Sequence, residues 1–332
     1  MEKKKVLLIA PVFFDYYKAM LMTLEKMGYD AEYLCDAPSN SNVSKAIGRI
    51  NKKFIYHAAE KYFDEAVRKK VPADRFDIVL VVGGMTFAFT TEMMKQLRQM
   101  QSKARFILYQ WDSEKNLPYS VGIHPYFDAI YTFDRQDALR DTKYKLLPLF
   151  YTDNYKRVSD MEQKDLYDCM YVGTAHPFKY RDINTICESL DVPKDRLYVR
   201  HYMPSQLKFW YQKVTSPVFR HAKQAEMCWD KVSEQELMEV MASSKCVLDA
   251  PQEGQTGLTI RTIECLGAKR KLITTNPEIV HYDFYDPKNI WVYEDGKALE
   301  KDFFVAPYKE LPEEIYQKYS IRSWLMTMLR DN

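Results

Sequence analysis

Apolar and polar residues alternate along the first half of the chain as short continuous apolar runs and longer amphipathic stretches. The runs have the length of buried strands, and the stretches repeat apolar residues every three to four positions, as helices do. The predicted strands are 5–10, 31–35, 76–84, 105–110, 127–133 and 143–149, and the predicted helices are 15–27, 51–70, 90–101 and 135–141. This order predicts a mainly parallel sheet with helices on both faces.

The same alternation restarts after a polar segment in the middle of the chain. Residues 151–166 show no apolar period, which is typical of a connection between domains. The strands predicted after it are 167–173, 196–201, 245–250, 269–275 and 288–293, and the helices are 179–190, 233–244, 257–267 and 312–330. Ser233, with Glu236 three positions later, predicts a capping box at the start of helix 233–244.

Together the two halves predict a two-domain α/β protein. We expect an N-terminal domain over 1–150, a linker over 151–166 and a second α/β domain over 167–311. The remaining residues, 312–332, are predicted to form a C-terminal helix that packs back on either domain.

Composition narrows the class of protein. The 332 residues are 46% hydrophobic and 28% charged, as in soluble globular proteins, and the net charge of +2 argues against nucleic acid as a partner. The six cysteines form no C-x-x-C pair, which favours reduced thiols in a cytoplasm over disulfides or structural zinc. The first apolar run is interrupted by Asp15 and no run approaches about 18 residues, so we expect neither a signal peptide nor a membrane span.

The loop between strand 245–250 and helix 257–267 is the strongest candidate for a binding site. In open α/β sheets, ligands bind where strand ends lead into helix starts, and the unpaired N–H groups of a helix start attract phosphate. Gly254 and Gly257 give a ligand room near the backbone, and Gln255, Thr256 and Thr259 add neutral hydrogen-bond donors. This loop therefore predicts a phosphate site.

Arg261 and Glu264 follow in the first turns of that helix, in the order that the helix dipole disfavours. A bound diphosphate would stabilise Arg261, and a carboxylate one turn further in can accept two hydrogen bonds from a ribose diol. The alternative is an ordinary i,i+3 ion pair on a solvated helix face.

A second loop, 171–182, has the same features. A strand ends at Gly173 and Thr174, and two cations, Lys179 and Arg181, lie at the start of the next helix, again on the unfavourable side of the dipole. An anionic ligand would compensate, whereas surface solubility is the alternative. Both loops are expected at one edge of the same sheet.

Two carboxylates in the first half are candidates for a general base. Asp112 follows strand 105–110, and Asp15 follows the first strand. A carboxylate at a strand end that faces a ligand can take a proton from it. Local capping is the alternative for Asp112.

The sequence lacks the motifs of several common catalytic and cofactor sites. The sequence has no H-E-x-x-H and no His/Cys cluster for a catalytic metal, no G-x-S-x-G, no G-x-x-x-x-G-K-[ST], and no G-x-G-x-x-G after the first strand. The expectation is a protein without a metal or a bound dinucleotide cofactor.

The second half resembles a known family. The run "GLTIRTIECLGAKRKLITTN" (257–276), preceded by "YVGT" (171–174), is similar to the donor-binding domain of GT-B glycosyltransferases of bacterial cell-surface polysaccharide biosynthesis. These are the lipopolysaccharide-core or capsular proteins near the CgeB-like transferases. The first half resembles them in layout and in "YQWDS" (109–113).

The resemblance implies two Rossmann-like domains that face a central cleft, with a nucleotide-sugar donor bound by the second domain. Glu264 would hold the donor ribose, and Thr256, Gly257 and Thr259 would meet its phosphates. Lys179 or Arg181 would neutralise the leaving diphosphate, and no metal or other cofactor is expected.

The resemblance also implies a saccharide or lipid-linked acceptor at the first domain. Many relatives carry a carboxylate eight residues before the ribose glutamate, where this chain has Thr256, with Glu253 as the nearest alternative. Retention or inversion at the sugar therefore stays open. For an inverting reaction, Asp112 is the first choice of base and Asp15 the second.

A lipid-linked acceptor implies a cytoplasmic protein with peripheral contact to the inner membrane. Two segments combine basic and apolar residues, 207–213 and 319–330, and core packing is the alternative for both. The rival functions are a nucleotide-sugar epimerase of the same fold and a non-catalytic nucleotide-sugar-binding protein.

Overall fold

The computed structural model describes residues 3–13, 15–38, 56–84, 86–252, 254–297, 299 and 301–330. The chain divides into two compact units. The first comprises Met1–Pro148 and Ile321–Asn332, and the second comprises Leu149–Ser320. Within the described ranges, no helix is long and apolar enough to cross a membrane.

The first unit is built on a parallel sheet in the order β2-β1-β3-β4-β5-β6. Its strands are β1 (Lys5–Ala10), β2 (Asp30–Cys35), β3 (Ile78–Gly83), β4 (Arg105–Gln110), β5 (Ala129–Thr132) and β6 (Tyr144–Leu146). Its helices include α1 (Tyr16–Lys26), α2 (Tyr56–Phe63, continued by a π-helical turn Asp64–Arg68), α3 (Thr91–Met100), a 3-10 segment (Pro118–Tyr126) and α4 (Arg135–Arg140). All six residues of β3 are buried, because an apolar run in the middle of such a sheet is covered on both faces.

The second unit contains another parallel sheet, in the order β12-β11-β10-β7-β8-β9. Its strands are β7 (Tyr167–Thr174), β8 (Leu197–Tyr202), β9 (Met227–Cys228), β10 (Ser244–Asp249), β11 (Lys271–Thr274) and β12 (Ile290–Val292). Its α-helices are α5 (Asp153–Ser159), α6 (Pro177–Ser189), α7 (Gln206–Thr215), α8 (Glu234–Ala242), α9 (Ile260–Gly267) and α10 (Glu313–Lys318). Short 3-10 segments are Lys194–Arg196, Gln224–Glu226, Pro277–His281 and Lys301–Phe303. The prediction of an α/β protein with two Rossmann-like units is confirmed.

Residues 151–166, predicted as a linker, include helix α5 and lie within the second unit. Only Tyr155 and Val158 of this helix are buried. Two apolar positions among polar ones are too few to show a helical period, and for that reason the sequence pattern gave no sign of the helix.

The predicted C-terminal helix is two helices that belong to different units. Helix α10 lies in the second unit, and the last helix, α11 (Ile321–Leu329), lies in the first. In α11, Trp324 is 1% exposed and makes an edge-on contact with Tyr109, with 4.6 Å between ring centroids. The apolar residues of 319–330 therefore serve core packing, the alternative to a membrane segment.

The predicted capping box at α8 is half formed. The Ser233 hydroxyl accepts a hydrogen bond from the N–H of Glu236 at 3.1 Å, as predicted. The Glu236 carboxylate accepts one from the hydroxyl of Tyr198 at 2.8 Å, on the neighbouring strand β8. A tyrosine of strand β8 has taken the place of the local backbone partner.

Helix α9 is anchored at its C-terminal end by two tyrosine rings. The Tyr151 ring packs against Gly267 and stacks on Tyr316 at 5.0 Å between centroids. The Tyr316 hydroxyl donates to the carbonyl of Gly267 at 2.7 Å. A Cβ at position 267 would lie 2.5 Å from Cγ of Tyr151, so a glycine is required for this close approach.

We expect Gly267→Ala to destabilise the second unit. Alanine is favoured over glycine in a helix by about 1 kcal/mol, whereas forcing a methyl group into a packed site typically costs about 1–3 kcal/mol. We expect the cost of the clash to exceed the gain in helix propensity, so urea unfolding should show a lower free energy of unfolding. Gly84→Ala is the control, because no described atom lies within 4 Å of its Cβ position. A Gly267→Ala protein as stable as the wild type would contradict this packing.

Candidate functional site

The second sheet has one position where its strand order reverses. The chain proceeds from β7 outward to β8 and β9, and then crosses to the other side of β7 to form β10, β11 and β12. The carboxyl ends of β7 and β10 are therefore adjacent, and a crevice forms where their loops diverge. Both loops that the sequence singled out start there, one leading into α6 and the other into α9.

Both helices carry a cation in the first turn and no acidic residue there. Lys179 is the third residue of α6, and Arg261 is the second residue of α9. The N-terminal end of a helix carries partial positive charge, so a cation there is unfavourable unless an anion is close. Two helix starts, each with a cation in its first turn, therefore meet at one crevice.

Lys179 is the less compensated of the two cations. Burial lowers the pKa of its ammonium group, the Asp249 carboxylate opposes that shift, and the charge of Arg261 adds to it. Within the part of the chain that the structure describes, the Lys179 ammonium forms no ion pair. A partly buried ammonium that forms no ion pair favours the binding of an anion.

Arg261 is paired with Glu264, with 2.8 Å between Nη1 and Oε2. Glu264 is 1% exposed and Arg261 is 20% exposed, so this pair is not the solvated surface pair of the alternative interpretation. Tyr155 of α5 lies against both: burial raises the pKa of its phenol, and the Glu264 carboxylate adds to the rise. The pair holds the Glu264 carboxylate in place within the protein.

Asp249 is the last residue of β10 and organises the start of α9. It is 3% exposed, and its Oδ2 accepts hydrogen bonds from the hydroxyls of Thr259 at 2.6 Å and Thr262 at 3.0 Å. Thr259 also caps α9, because its Oγ1 accepts from the N–H of Thr262 at 3.2 Å. The Thr259 hydroxyl, which the sequence predicts to contact phosphate, therefore stabilises the start of α9. Its contact with phosphate stays a prediction.

The loop before α9 is held by side-chain to main-chain hydrogen bonds. The amide of Gln255 donates to the carbonyl of Gly257 at 3.0 Å. Asn276, which follows β11, donates to the carbonyls of Thr256 at 3.2 Å and Gly257 at 3.4 Å. Gly254 has φ +73°, a conformation that favours glycine. These bonds fix the course of the backbone around the crevice.

An open groove of about 390 Å³ runs beside this loop. It is lined by Phe178, Arg181, Asp182, Pro251, Gln252, Gly254, Gln255, Thr256, Thr275, Asn276, Pro277 and Glu278. The Arg181 side chain is 52% exposed and pairs with the adjacent Asp182 at 2.7 Å. Arg181 is thus a groove residue with its own counter-ion, in contrast to Lys179.

The end of β7 supplies a tyrosine that the sequence did not single out. The Tyr171 hydroxyl is buried and makes no hydrogen bond with any described group. Burial raises the pKa of this phenol, and the Asp249 carboxylate adds to the rise. The ring lies across Gly173, where a Cβ would overlap it, so this glycine makes room for the tyrosine. Thr174 is exposed at the strand end.

Tyr171, Asp249 and Asn276 are the site residues that sequence reasoning missed. Asp249 was detectable, since it is a carboxylate at the end of an apolar strand, the signal that singled out Asp112. The other two depend on contacts between loops that are distant in sequence. Glu253 lies outside the described residues.

The two predicted bases lie in the first unit and have different surroundings. Asp112 Oδ1 accepts from the N–H of Ser113 at 2.9 Å and from the amide of Asn116 at 2.8 Å, which is the local capping alternative. Asp15 is 59% exposed and pairs with Lys18 at 3.0 Å. A catalytic role stays a prediction for both.

The first unit also contains an aromatic pocket of about 220 Å³ near Tyr119. Its lining is Tyr56, Phe87, Ala88, Phe89, Thr90, Thr91, Tyr119, Ser120 and Ile123. The Tyr119 hydroxyl donates to the carbonyl of Gly84 at 3.3 Å, and its phenol pKa is raised by burial first and by Asp112 next. The Asp112 carboxylate thus acts electrostatically on Tyr119, a residue of this pocket.

Among the residues that the structure describes, no group of three or more His, Cys, Asp or Glu side chains could hold a metal ion. Metal independence of the reaction stays a prediction.

Comparison with solved structures identifies the fold. HepE of Anabaena, solved with UDP and glucose, is similar over 99% of both chains with a TM-score of 0.59 and 9% identity. An α-glucosyltransferase, solved with UDP and a DNA 13-mer, is similar over 98% of this chain and 92% of its own, with a TM-score of 0.52 and 12% identity. The sequence matches no protein-family model and no curated protein. The chain has the two-domain GT-B fold, and at these identities the likeness extends to the fold alone.

We expect Thr259→Val to destabilise the second unit more than Thr262→Val. Both lose a hydroxyl bond to Asp249, but only Thr259→Val also loses the cap of α9. The loss of a cap costs about 1 kcal/mol, and a hydrogen bond about 0.5–1.5 kcal/mol. Urea unfolding of the two nearly isosteric variants measures the difference, and equal losses would show that the cap contributes nothing.

Proposed function

We propose that the chain is a glycosyltransferase that takes a sugar from a nucleotide-sugar bound by the second unit. One observation supports this above the others: Lys179 and Arg261, two cations in the first turns of two helices, lie at the switch point of one sheet. Phosphate groups bind to helix starts at such positions. The phosphates of a nucleoside diphosphate would accept hydrogen bonds from the N–H groups of these helix starts and from the Lys179 ammonium.

The same groups suit the departure of a nucleoside diphosphate. When the bond between the sugar and the diphosphate breaks, negative charge grows on the leaving oxygen. Fixed cations and oriented N–H groups lower the energy of that charge without having to rearrange. In the proposed mechanism the Lys179 ammonium and the N–H groups of α6 and α9 act on the diphosphate, with no metal required.

Glu264 is proposed to hold the donor ribose. Its carboxylate is paired with Arg261, and an ionised carboxylate has about four acceptor sites. A ribose diol can donate two hydrogen bonds to such a carboxylate. Both similar structures were solved with UDP, which makes UDP the first nucleotide to test here.

The proposed acceptor is a saccharide or lipid-linked saccharide of cell-surface polysaccharide biosynthesis, in lipopolysaccharide or capsule, and it would bind to the first unit. Tyr56 and Tyr119, which are 50% and 38% exposed at this pocket, offer aromatic rings that suit stacking against a sugar ring or an apolar carrier. Asp112 is the proposed base for an inverting reaction, and Asp15 is the second candidate. A lipid-linked acceptor would require a protein that works at the cytoplasmic face of a membrane.

An epimerase or a binding protein of the same fold would use the donor site differently. An epimerase needs the nucleotide-sugar alone and releases an isomer. A binding protein releases no nucleotide. Free nucleotide that appears only when donor and acceptor are both present distinguishes a transferase from either.

We expect Lys179→Gln to weaken binding of a nucleoside diphosphate by about ten- to hundredfold. A hydrogen bond to a charged group contributes about 1.5–3 kcal/mol, and this ammonium has no other described counter-ion. Calorimetry with UDP, GDP, CMP, ADP and dTDP measures the affinity and identifies the base.

Arg181→Gln is the matched control, because Arg181 lines the groove but is half exposed and paired with Asp182. Its effect should stay within about threefold, as for other exposed ion pairs. The proposal would be wrong if no nucleotide binds to the wild type, or if both substitutions weaken binding equally.

A further inference from the structure

Helix α7 exposes a row of large apolar side chains. Leu207, Trp210, Tyr211 and Val214 are 82%, 53%, 67% and 82% exposed. Their spacing of three, one and three residues places them on one face of the helix. The opposite face is anchored in the core through Phe209, which is 1% exposed. The helix is therefore fixed on one side while an apolar row remains uncovered on the other.

The chain around α7 is rich in positive charge, and the exposed Glu226 lies at its end beside Lys223. Residues 197–225 contain five basic residues and no acidic one, although the whole protein has a net charge of only +2. The five are Arg200, Lys208, Lys213, Arg220 and Lys223, and all but Lys213 are exposed. Lys213 lies over the Trp210 ring at 5.8 Å and donates to the carbonyl of Ala222 at 2.9 Å. We call the apolar row with its basic surroundings the α7 surface.

We propose that the α7 surface docks the protein on the face of an anionic lipid bilayer. Trp and Tyr prefer the boundary between water and hydrocarbon, and Leu and Val add apolar area that inserts beneath it. Lys and Arg beside them attract anionic headgroups. Stable anchoring takes two such signals together, and the α7 surface has both.

The charge distribution favours a bilayer over another copy of the chain. In a symmetric dimer each α7 surface would face an identical one, and the basic residues would meet like charges without any carboxylate from residues 197–225 to separate them. An anionic bilayer brings the complementary charge. At ten residues, α7 is about 15 Å long, half of a hydrocarbon core, so it would lie in the plane of the surface.

Docking through α7 has a consequence for the donor site. Helix α7 follows β8, the strand next to β7, so it starts from the same edge of the second sheet as the loop before α6. Docking would bring this edge toward the lipid surface. A lipid-linked acceptor would then be close to the donor; this step rests on the proposed function, whereas docking itself does not.

Sedimentation with vesicles tests the proposal on the full chain. We expect the protein to bind phosphatidylcholine vesicles that contain phosphatidylglycerol at least about tenfold more tightly than pure phosphatidylcholine vesicles, with a strong decrease at high salt. The triple variant Leu207→Ser, Trp210→Ser, Val214→Ser should lose at least about tenfold, and so should Lys208→Gln, Arg220→Gln, Lys223→Gln.

Matched controls change exposed residues elsewhere. Leu139→Ser with Val305→Ser removes apolar side chains that are 64% and 82% exposed, and Lys115→Gln, Lys288→Gln, Lys297→Gln removes three exposed charges. Both controls should bind vesicles like the wild type. Binding lost equally in the controls, or no preference for anionic vesicles, would overturn the proposal. Self-association that disappears in the Leu207, Trp210, Val214 variant would overturn it in favour of a second copy.

Nucleotide binding and membrane docking are separate proposals, and each can be contradicted without the other. Variants of the α7 surface should bind nucleotide like the wild type, and Lys179→Gln should bind vesicles like the wild type. Vesicle binding without any nucleotide binding would support docking and contradict the proposed function, and the reverse result would contradict docking alone.

Discussion

Two cations lie where the helix dipole opposes them, in the first turns of α6 and α9, and the proposed donor site of the second unit depends on this placement. Lys179 is partly buried with Asp249 and Arg261 as the charges that act on it. Arg261 has its own carboxylate in Glu264. The crevice therefore combines helix starts with one cation that lacks a described counter-ion. The proposed ligand of these helix starts is a diphosphate.

The neighbouring contacts keep these charges in position. Asp249 holds the start of α9 through Thr259 and Thr262, and the rings of Tyr151 and Tyr316 hold its end at Gly267. Asn276 ties the preceding loop to the end of β11. Because helix α9 is held at both ends, the position of Arg261 in its first turn is also fixed. A site of this kind is preorganised before a ligand arrives.

The fold could be predicted from the sequence because buried parallel strands are continuous apolar runs, of which β3 is the clearest. The loops before α6 and α9 could also be predicted, since glycines and misplaced cations are local features. Helix α5 could not, because only Tyr155 and Val158 mark its buried face. Residues 207–213 and 319–330 looked alike as sequences, with basic and apolar residues mixed. Only tertiary packing separates them, burying Trp324 and leaving Trp210 exposed.

The hydrogen-bond partners of individual side chains could not be predicted from the sequence either. Thr259 was expected to meet phosphate, and the structure gives its hydroxyl to Asp249 and to the cap of α9. Tyr171 was not singled out, because a tyrosine inside a strand is usually a core residue. Only the tertiary structure shows that its hydroxyl is buried and makes no hydrogen bond with a described group.

The most direct test of the central claim compares a nucleoside diphosphate with the nucleoside that lacks the phosphates. If the crevice is built for a diphosphate, calorimetry on the wild-type protein should show UDP, or whichever diphosphate binds, at least about a hundredfold tighter than its nucleoside, as expected for two or more charged hydrogen bonds. Equal affinity for the two would contradict the account, because the positive charge of α6 and α9 would then play no part in binding.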